Sequence, residues 1–506
     1  MREKRAVRNV ITNITMQLIL ALSGLVLPRL IMHFYGSAIN GMVSSISQFI
    51  TYAALIELGI GNASIVALYY PLAGKDDEEI SSIVTSSARM YRISGYIYSG
   101  ILLSIAFGYS FLYRNQMAYW FIFELVLCIG AINVIDYFFL SKYKILLTAD
   151  QKYYILNVAR IVTVAIATVG SIFFLVKGKS VVWVKGFAVC MHVCEGMIIA
   201  CYVRKKYPAI TFHSRKIKKI EQRWNALIHQ LCLTIVYNTD IVVLTIFLPS
   251  HSLHEISVYS VYSMVLNLVT NMGSTLVTGI SASFGNMFAK GEREEMRRVF
   301  DIYEFCYFIV LFVLYSCFFV LILPFVSCYT KGMLDVNYIR LSAGVLFGLN
   351  GLAAQIKDVS GTIINAAGRY KETQRYGIEE ATINIVISII LVRQYGITGV
   401  LIGTLISLVW MDLCYMAYMC KNLIVNTGKI TVGRIIRNLS ILVILTVVEI
   451  KFVSIPENIG VWIVEAFVVF VINGSVIVGI NLFVEKENVF IILGLLHRIL
   501  RRINGK

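Results

Sequence analysis

Charge is what this sequence has least of. Only 15% of its 506 residues are charged, against 58% hydrophobic, and the mean hydropathy is +0.76. A water-soluble chain of this length could not hide so much apolar surface, so a soluble globular protein is excluded. Proline is scarce as well, with six residues, and no low-complexity tract is present, which leaves no room for a long disordered linker. No Walker A glycine loop occurs, so the chain does not hydrolyse ATP by that route. No long hydrophilic segment is available for a catalytic domain either, since the longest, 204–223, is basic. The first apolar run is longer than a signal-peptide core and ends in no small-residue cleavage site, so it is expected to remain as a span.

Cysteine is not lacking, but Cys128, Cys190, Cys194, Cys232, Cys306, Cys317 and Cys414 all lie in apolar stretches. A disulfide needs an oxidising aqueous face, so these thiols are expected to stay reduced. Cys190, His192 and Cys194 alternate in mid-span with no fourth ligand near them, and no metal site is expected there.

What the sequence has is apolar runs long enough to cross a bilayer. They fall near 10–34, 39–70, 90–112, 117–141, 153–176, 181–203, 224–248, 256–288, 301–328, 338–367, 374–393, 397–420, 435–453 and 459–483, about fourteen spans in all. Lys and Arg divide unequally between the two sets of connections. With the N-terminus inside, 33 of the 45 lie at inner connections and 8 at outer ones. The positive-inside rule then places both termini in the cytoplasm. The net charge of +16 is accordingly a record of topology, with no basic and aromatic surface of the kind that binds nucleic acid. Within the basic tail, Asn488 to Arg502 reads as a short cationic helix lying on the inner leaflet and contacting membrane lipids.

The chain also repeats itself. Leu72-Ala73-Gly74-Lys75-Asp76-Asp77-Glu78-Glu79-Ile80 aligns with Phe288-Ala289-Lys290-Gly291-Glu292-Arg293-Glu294-Glu295-Met296 at an offset of 216, which also carries Asn9 onto Asn225. Thr148-Ala149-Asp150-Gln151-Lys152 meets Ala367-Gly368-Arg369-Tyr370-Lys371 at 219. The expected organisation is an N-lobe of six spans (1–203), a basic cytoplasmic linker (204–223), a C-lobe of six spans (224–420), two further spans (421–484) and a basic tail (485–506). Parallel repeats of this kind suit transporters that rock two lobes about a central site.

Several segments carry a family resemblance: Glu57-Leu58-Gly59-Ile60-Gly61-Asn62-Ala63, Leu68-Tyr69-Tyr70-Pro71-Leu72-Ala73, Leu147-Thr148-Ala149-Asp150-Gln151-Lys152, Tyr237-Asn238-Thr239-Asp240, and Asn384 with Tyr395-Gly396-Ile397-Thr398-Gly399-Val400-Leu401-Ile402-Gly403-Thr404. In their order and spacing over nearly the whole chain they resemble the multidrug/oligosaccharidyl-lipid/polysaccharide (MOP) exporter superfamily, and within it the Wzx-type polysaccharide flippases. The resemblance implies an all-α, MATE-like integral membrane fold of two pseudo-symmetric lobes in a V. It also implies alternating-access export of undecaprenyl-diphosphate-linked oligosaccharide from a bacterial inner membrane, beside a polymerase and glycosyltransferases of the same pathway. Read physically, Gly59, Gly61, Gly396, Gly399 and Gly403 allow close helix contact, and Pro71 is expected to end span two.

Four cations remain inside spans: Arg29, Arg92, Arg160 and Lys357. A buried charge is costly and faces a cavity or a partner. Arg29, Arg160 and Lys357 are the candidates for gripping a diphosphate, which guanidinium groups bind bidentately. The repeat sets Arg160 opposite Glu379, so pairing between them is the competing role. Glu57, Asp240 and Glu379 are candidates for coupling to protons or sodium, and no other cofactor is expected. Two other functions compete. A cation-coupled drug exporter would rely on carboxylates, whereas a polymerase or glycosyltransferase would need the catalytic domain that is missing. An impermeant thiol reagent applied to intact cells should fail to label cysteines placed in 206–222 and reach those placed near Ser252; outside labelling of 206–222 would reverse the topology.

Overall fold

The computed structural model describes residues 2–57, 60–212, 238–248, 251–425, 427–453, 455–456, 458–486 and 488. Every regular element among them is helical: α1 (Arg2–Tyr35), α2 (Ser37–Ala54), α3 (Ile60–Gly74), α4 (Asp77–Tyr113), α5 (Tyr119–Ile135), α6 (Ser141–Ala149), α7 (Tyr153–Val176), α8 (Val181–Lys206), α9 (Asn238–Phe247), α10 (Ser252–Lys290), α11 (Arg293–Tyr329), α12 (Leu341–Ala366), α13 (Tyr370–Tyr395), α14 (Ile397–Asn422), α15 (Gly428–Glu449) and α16 (Ile459–Val484). Ten of the described helices or helix pairs are long and apolar enough to cross a membrane, and the protein is a multi-pass membrane protein. Such a fold follows from the solvent, because hydrocarbon offers backbone groups no partners outside the helix itself. Within the described residues, each expected span coincides with a helix or an interrupted helix, and the count of about fourteen is roughly consistent with this arrangement. Most of the linker, the first part of span seven and the expected interfacial tail helix lie outside the described residues.

Two spans are interrupted. Span two consists of α2, a 3-10 turn at Leu55–Glu57, and α3. Pro71 does not end it, because α3 runs on to Gly74. Pro28 and Pro324 likewise stand inside α1 and α11. The expectation came from helices in water, whereas membrane helices tolerate proline where neighbouring groups satisfy the freed carbonyl. Span four consists of α5, a π-turn at Asp136–Leu140, and α6.

The internal repeat is written in the turns. Lys75 and Gly291 both adopt left-handed φ, 56° and 73°, and Asp76 N and Glu292 N close matching turns onto Pro71 O and Met287 O. This is the expected offset of 216. The second turn corrects the alignment. Gln151 and Gly368 are its left-handed residues, at 58° and 69°, and Lys152 N to Leu147 O repeats as Arg369 N to Ile364 O. The offset there is 217, and α7 and α13 start at Tyr153 and Tyr370 accordingly. Residue similarity had drawn the lysines together, but hydrogen-bonded turn geometry sets the register. Arg160 therefore corresponds to Gly377, and the match to Glu379 falls.

The chain forms two compact units, Met1–Ser257 and Val258–Lys506. In the first, α1 and α7 run parallel at a fixed offset of 145, through Arg5 to Asp150, Asn9 to Tyr154, Thr12 to Asn157 and Ser23 to Thr168. At one end Asp150 accepts from Tyr207 (2.5 Å) and pairs with Lys152 (2.6 Å), so α1, α7 and the end of α8 are clasped together. Burial works to raise the Asp150 carboxyl, but these hydrogen bonds hold it below the usual carboxylate range. In the second unit, Arg434 of α15 meets Glu304 and Asp301 of α11 at 2.7 Å and Glu485 beyond α16 at 2.5 Å. That clamp fixes the last two helices to α11.

Small residues mark close approaches. Gly396 (φ 54°) makes the abrupt turn from α13 to α14, and Gly403 faces Ser388 so tightly that a Cβ would overlap it. Gly41 faces the backbone of Leu253, where α2 also bonds through Asn40 to Ser257 (2.9 Å) and Ser45 to Thr245 (2.7 Å). Ser252 is fully buried and lies 2.6 Å from Tyr113 Oη, so the outer labelling site is better placed at Leu334, which is 97% exposed. Gly41→Ala would drive its methyl into the Leu253 carbonyl. It should cost about 1–3 kcal/mol of overpacking, read as a lower unfolding temperature in detergent, whereas Gly24→Ala, with open space around it, should not.

Candidate functional site

The densest intramembrane chemistry in the first unit is a row of five charged or titratable side chains on the π-turn and the helices α6, α7 and α8. Lys144 of α6 reaches Asp136 with its Nζ 2.8 Å from both carboxylate oxygens. Asp136 Oδ1 lies 2.9 Å from His192 Nε2. His192 Nδ1 lies 3.1 Å from Glu195 Oε2, and that oxygen is 3.5 Å from Arg160 Nη1. His192 and Glu195 are buried, at 5% and 4% of side-chain exposure, while Arg160 keeps 39%.

Local structure explains why these groups meet. His192 and Glu195 are three residues apart on α8 and share one face. The π-turn begins at Asp136, where Ser141 N and Oγ both reach the Asp136 carbonyl. A π-turn inserts a residue into the helical register, so the carboxylates and aromatics on either side of it no longer follow one stripe. Helical rise puts Arg160 about 13 Å, and His192 about 21 Å, from the clasped end of the unit. The row sits in the span interior.

The imidazole has a defined requirement. Both ring nitrogens face carboxylate oxygens, and only the protonated ring donates from both. A neutral ring would leave one nitrogen lone pair against a carboxylate unless that carboxyl carried the proton. Whenever both contacts are hydrogen bonds, the bridge therefore holds one proton more than a neutral imidazole between two carboxylates. Tyr137, next to Asp136, stacks on Tyr91 at 6.3 Å, and Tyr91 Oη donates to Glu57 Oε1 (3.2 Å).

The residues expected from sequence are not one cluster. Arg29 lies half-buried toward the far end of α1. The offset of 145 sets it level with residue 174 of α7, fourteen residues beyond Arg160. The two guanidinium groups are thus separated by about 21 Å along the helices, too far to grip one diphosphate. Lys357 belongs to the second unit, where its Nζ is 2.9 Å from Glu380 Oε1 and both side chains are buried. Glu57 lies in the break between α2 and α3. Asp240 is 3% exposed on α9, beside Thr239, whose hydroxyl bonds Tyr52 at 2.7 Å. Glu379 is taken by Arg375 four residues earlier (2.6 Å) and by Trp410 (3.3 Å), and Arg160 by Glu195, so the supposed pairing of Arg160 with Glu379 is replaced by local pairs. His192, weighed in sequence only as a metal ligand, is instead the centre of the row; its spacing to Glu195 was the available signal. In the second unit Asp412 lines a cavity of about 240 Å3 with Phe308, Val359, Val409 and Met416, and its Oδ1 has no hydrogen-bond partner.

Asp136→Asn should leave the Lys144 ammonium without its counter-charge. Removing one member of a buried pair costs about 3–5 kcal/mol, and Lys144 is 30% exposed, so the lower end is expected in thermal unfolding. Adding Lys144→Met should recover most of it.

Solved structures share this fold. A multidrug-resistance MATE family transporter of the MOP superfamily in its inward-facing conformation matches with a TM-score of 0.58 and 15% identity, over 82% of this chain and 96% of that one. Its outward-facing conformation gives 0.54 and 13%, over 86% and 96%. A mutant of the Vibrio cholerae MATE transporter VcmN gives 0.55 and 13%, over 83% and 98%. No protein-family model and no curated protein matches the chain.

Proposed function

We propose that this chain is a flippase that carries undecaprenyl-diphosphate-linked oligosaccharide from the inner to the outer leaflet of a bacterial cytoplasmic membrane by alternating access. The observation that carries the reading is Arg160: a guanidinium in the span interior with 39% of its side chain open and a single 3.5 Å contact to Glu195. Most of its five donors remain for phosphate oxygens, and an arginine that was merely neutralised would be enclosed like Lys357 with Glu380. The MATE-like fold supplies the alternating-access framework. Arg29, farther along α1, is a later contact for the same anion, and both termini lie in the cytoplasm on the charge asymmetry of the connections. A polymerase and glycosyltransferases of the same pathway are the expected partners.

Coupling is to protons, through the Asp136–His192–Glu195 bridge, with Glu57 and Asp240 as further titrating groups. The substrate diphosphate carries about −2, and an elementary charge moved through 100 mV is worth ~2.3 kcal/mol, so the interior-negative potential itself favours export.

A second reading has its own observation. The partnerless oxygen of Asp412 in an apolar cavity suits an organic cation, as a multidrug exporter would need. Purified protein in vesicles, given a fluorescent lipid-linked sugar, separates the two. Flipping should respond to imposed voltage, fall to background in Arg160→Ala, and lose its pH response in His192→Gln. Transport indifferent to voltage, protons and sodium alike would leave only passive flipping; efflux of a cationic dye that is lost in Asp412→Asn, with no sugar flipping, would establish the exporter instead.

A further inference from the structure

The two helices that follow the six-span repeat carry a buried acid of their own. Glu449 is the last residue of α15 and is 8% exposed. It lies fifteen residues beyond Arg434, which is clamped to α11. Helical rise sets it about 22 Å from that clamp, within a hydrocarbon core about 30 Å thick. Glu449 Oε2 accepts from Asn473 Nδ2 of α16 at 3.2 Å. The same amide nitrogen is 3.9 Å from Cys317 Sγ, so α11, α15 and α16 meet at this point. Elsewhere in the unit Glu304, Glu380 and Glu485 each have an arginine or lysine against them. Among the described residues Glu449 has no ion pair, and it stands at a helix C-terminus, where the backbone adds partial negative charge.

The neighbouring oxygens are also short of positive partners. Glu449 Oε1, Asn473 Oδ1 and Thr446 Oγ1 are buried and have no hydrogen-bond partner among the described residues. Thr446 is three residues before Glu449, on the same side of α15. The hydroxyls of Ser440 on α15 and Ser475 on α16 return to carbonyls four residues back, at 2.9 and 2.7 Å. That of Thr446 does not. Pro324 of α11 offers no N–H to the Val320 carbonyl, and Val320 and Thr446 line one cavity of about 280 Å3. A proton on Glu449 would supply a single donor and leave the other acceptors unmatched. A small cation engages several at once, since carboxylate, amide and hydroxyl oxygens are what hard ions bind. One carboxylate balances one positive charge.

We infer that Thr446, Glu449 and Asn473 hold a sodium ion that ties α15 and α16 to α11 in the membrane interior. Val320, Leu321 and Val469 pack together beside it and keep water away. The cavity runs out to Ile339, Leu341 and Ile455, at the end of the unit opposite the Arg434 clamp. On the charge asymmetry of the connections that end is external, where sodium is the abundant cation. The inference rests on the membrane orientation and not on what is transported.

The test heats the purified full chain in sodium, potassium or choline chloride at equal ionic strength. Sodium at about a hundredfold excess over its dissociation constant should raise the unfolding temperature by roughly 5 °C above the other salts. Glu449→Gln and Asn473→Ala should abolish that difference. Thr446→Val should raise the sodium concentration required about tenfold, as expected for one lost ligand, and serves if the other two variants fail to fold. Asp240→Asn, in the first unit, should keep the wild-type response. Equal stabilisation by sodium and potassium would overturn the site. So would a sodium response that Thr446→Val leaves unchanged, or one that Asp240→Asn removes, whatever the flipping assay reports.

Discussion

Hydrocarbon solvates nothing polar, so a charge set between these helices has to bring its solvation with it as another side chain. That constraint orders both units. In the first, five side chains from Lys144 to Arg160 alternate in sign about one imidazole, each supplying the counter-charge of the next. In the second, Lys357 and Glu380 neutralise each other within the bundle, and Arg434 gathers Asp301, Glu304 and Glu485 at a helix end. The apolar faces around them are interchangeable by comparison. Truncating one leucine leaves a cavity, whereas truncating one member of a charge row leaves its neighbour in a medium that cannot hold it.

The same constraint explains how much of the fold was legible. Span length, helix content and the charge bias of connections follow from the bilayer as solvent, and residues state them directly. The repeat was legible at Lys75 and Gly291, where residue type and backbone agree. It was misread at the second turn, where Gln151 and Gly368 share a left-handed conformation but not a residue type. A polar glutamine and a glycine look unrelated in a string, yet each closes the same hydrogen-bonded turn.

The site was legible in part for related reasons. Arg160 declared itself because an arginine deep in an apolar run has few bland explanations. Its true neighbour Glu195 sits on a helix whose register against α7 no residue pattern states. Asp136 stands at the end of a long apolar run, but the π-turn that begins there has no sequence signature. Arg29 and Arg160 looked alike in sequence; only the fixed offset between α1 and α7 reveals that they lie at different depths.

The row has a consequence for energetics on the flippase reading. A diphosphate at Arg160 competes with Glu195 for the guanidinium, and its negative field favours the protonated form of the His192 bridge. Anion and proton therefore strengthen each other's binding, and linkage makes that reciprocal. Antiport would need the two to exclude one another, so this element does not by itself make a proton antiporter. If the proton travels with the substrate, the moving charge falls from about −2 toward −1, and the drive from a 100 mV potential falls by ~2.3 kcal/mol. What the bridge supplies in exchange is a way to carry an anion through hydrocarbon without leaving Glu195 uncompensated while Arg160 is engaged elsewhere. Selectivity for an anionic headgroup and sensitivity to pH then have one origin, the single imidazole between two carboxylates.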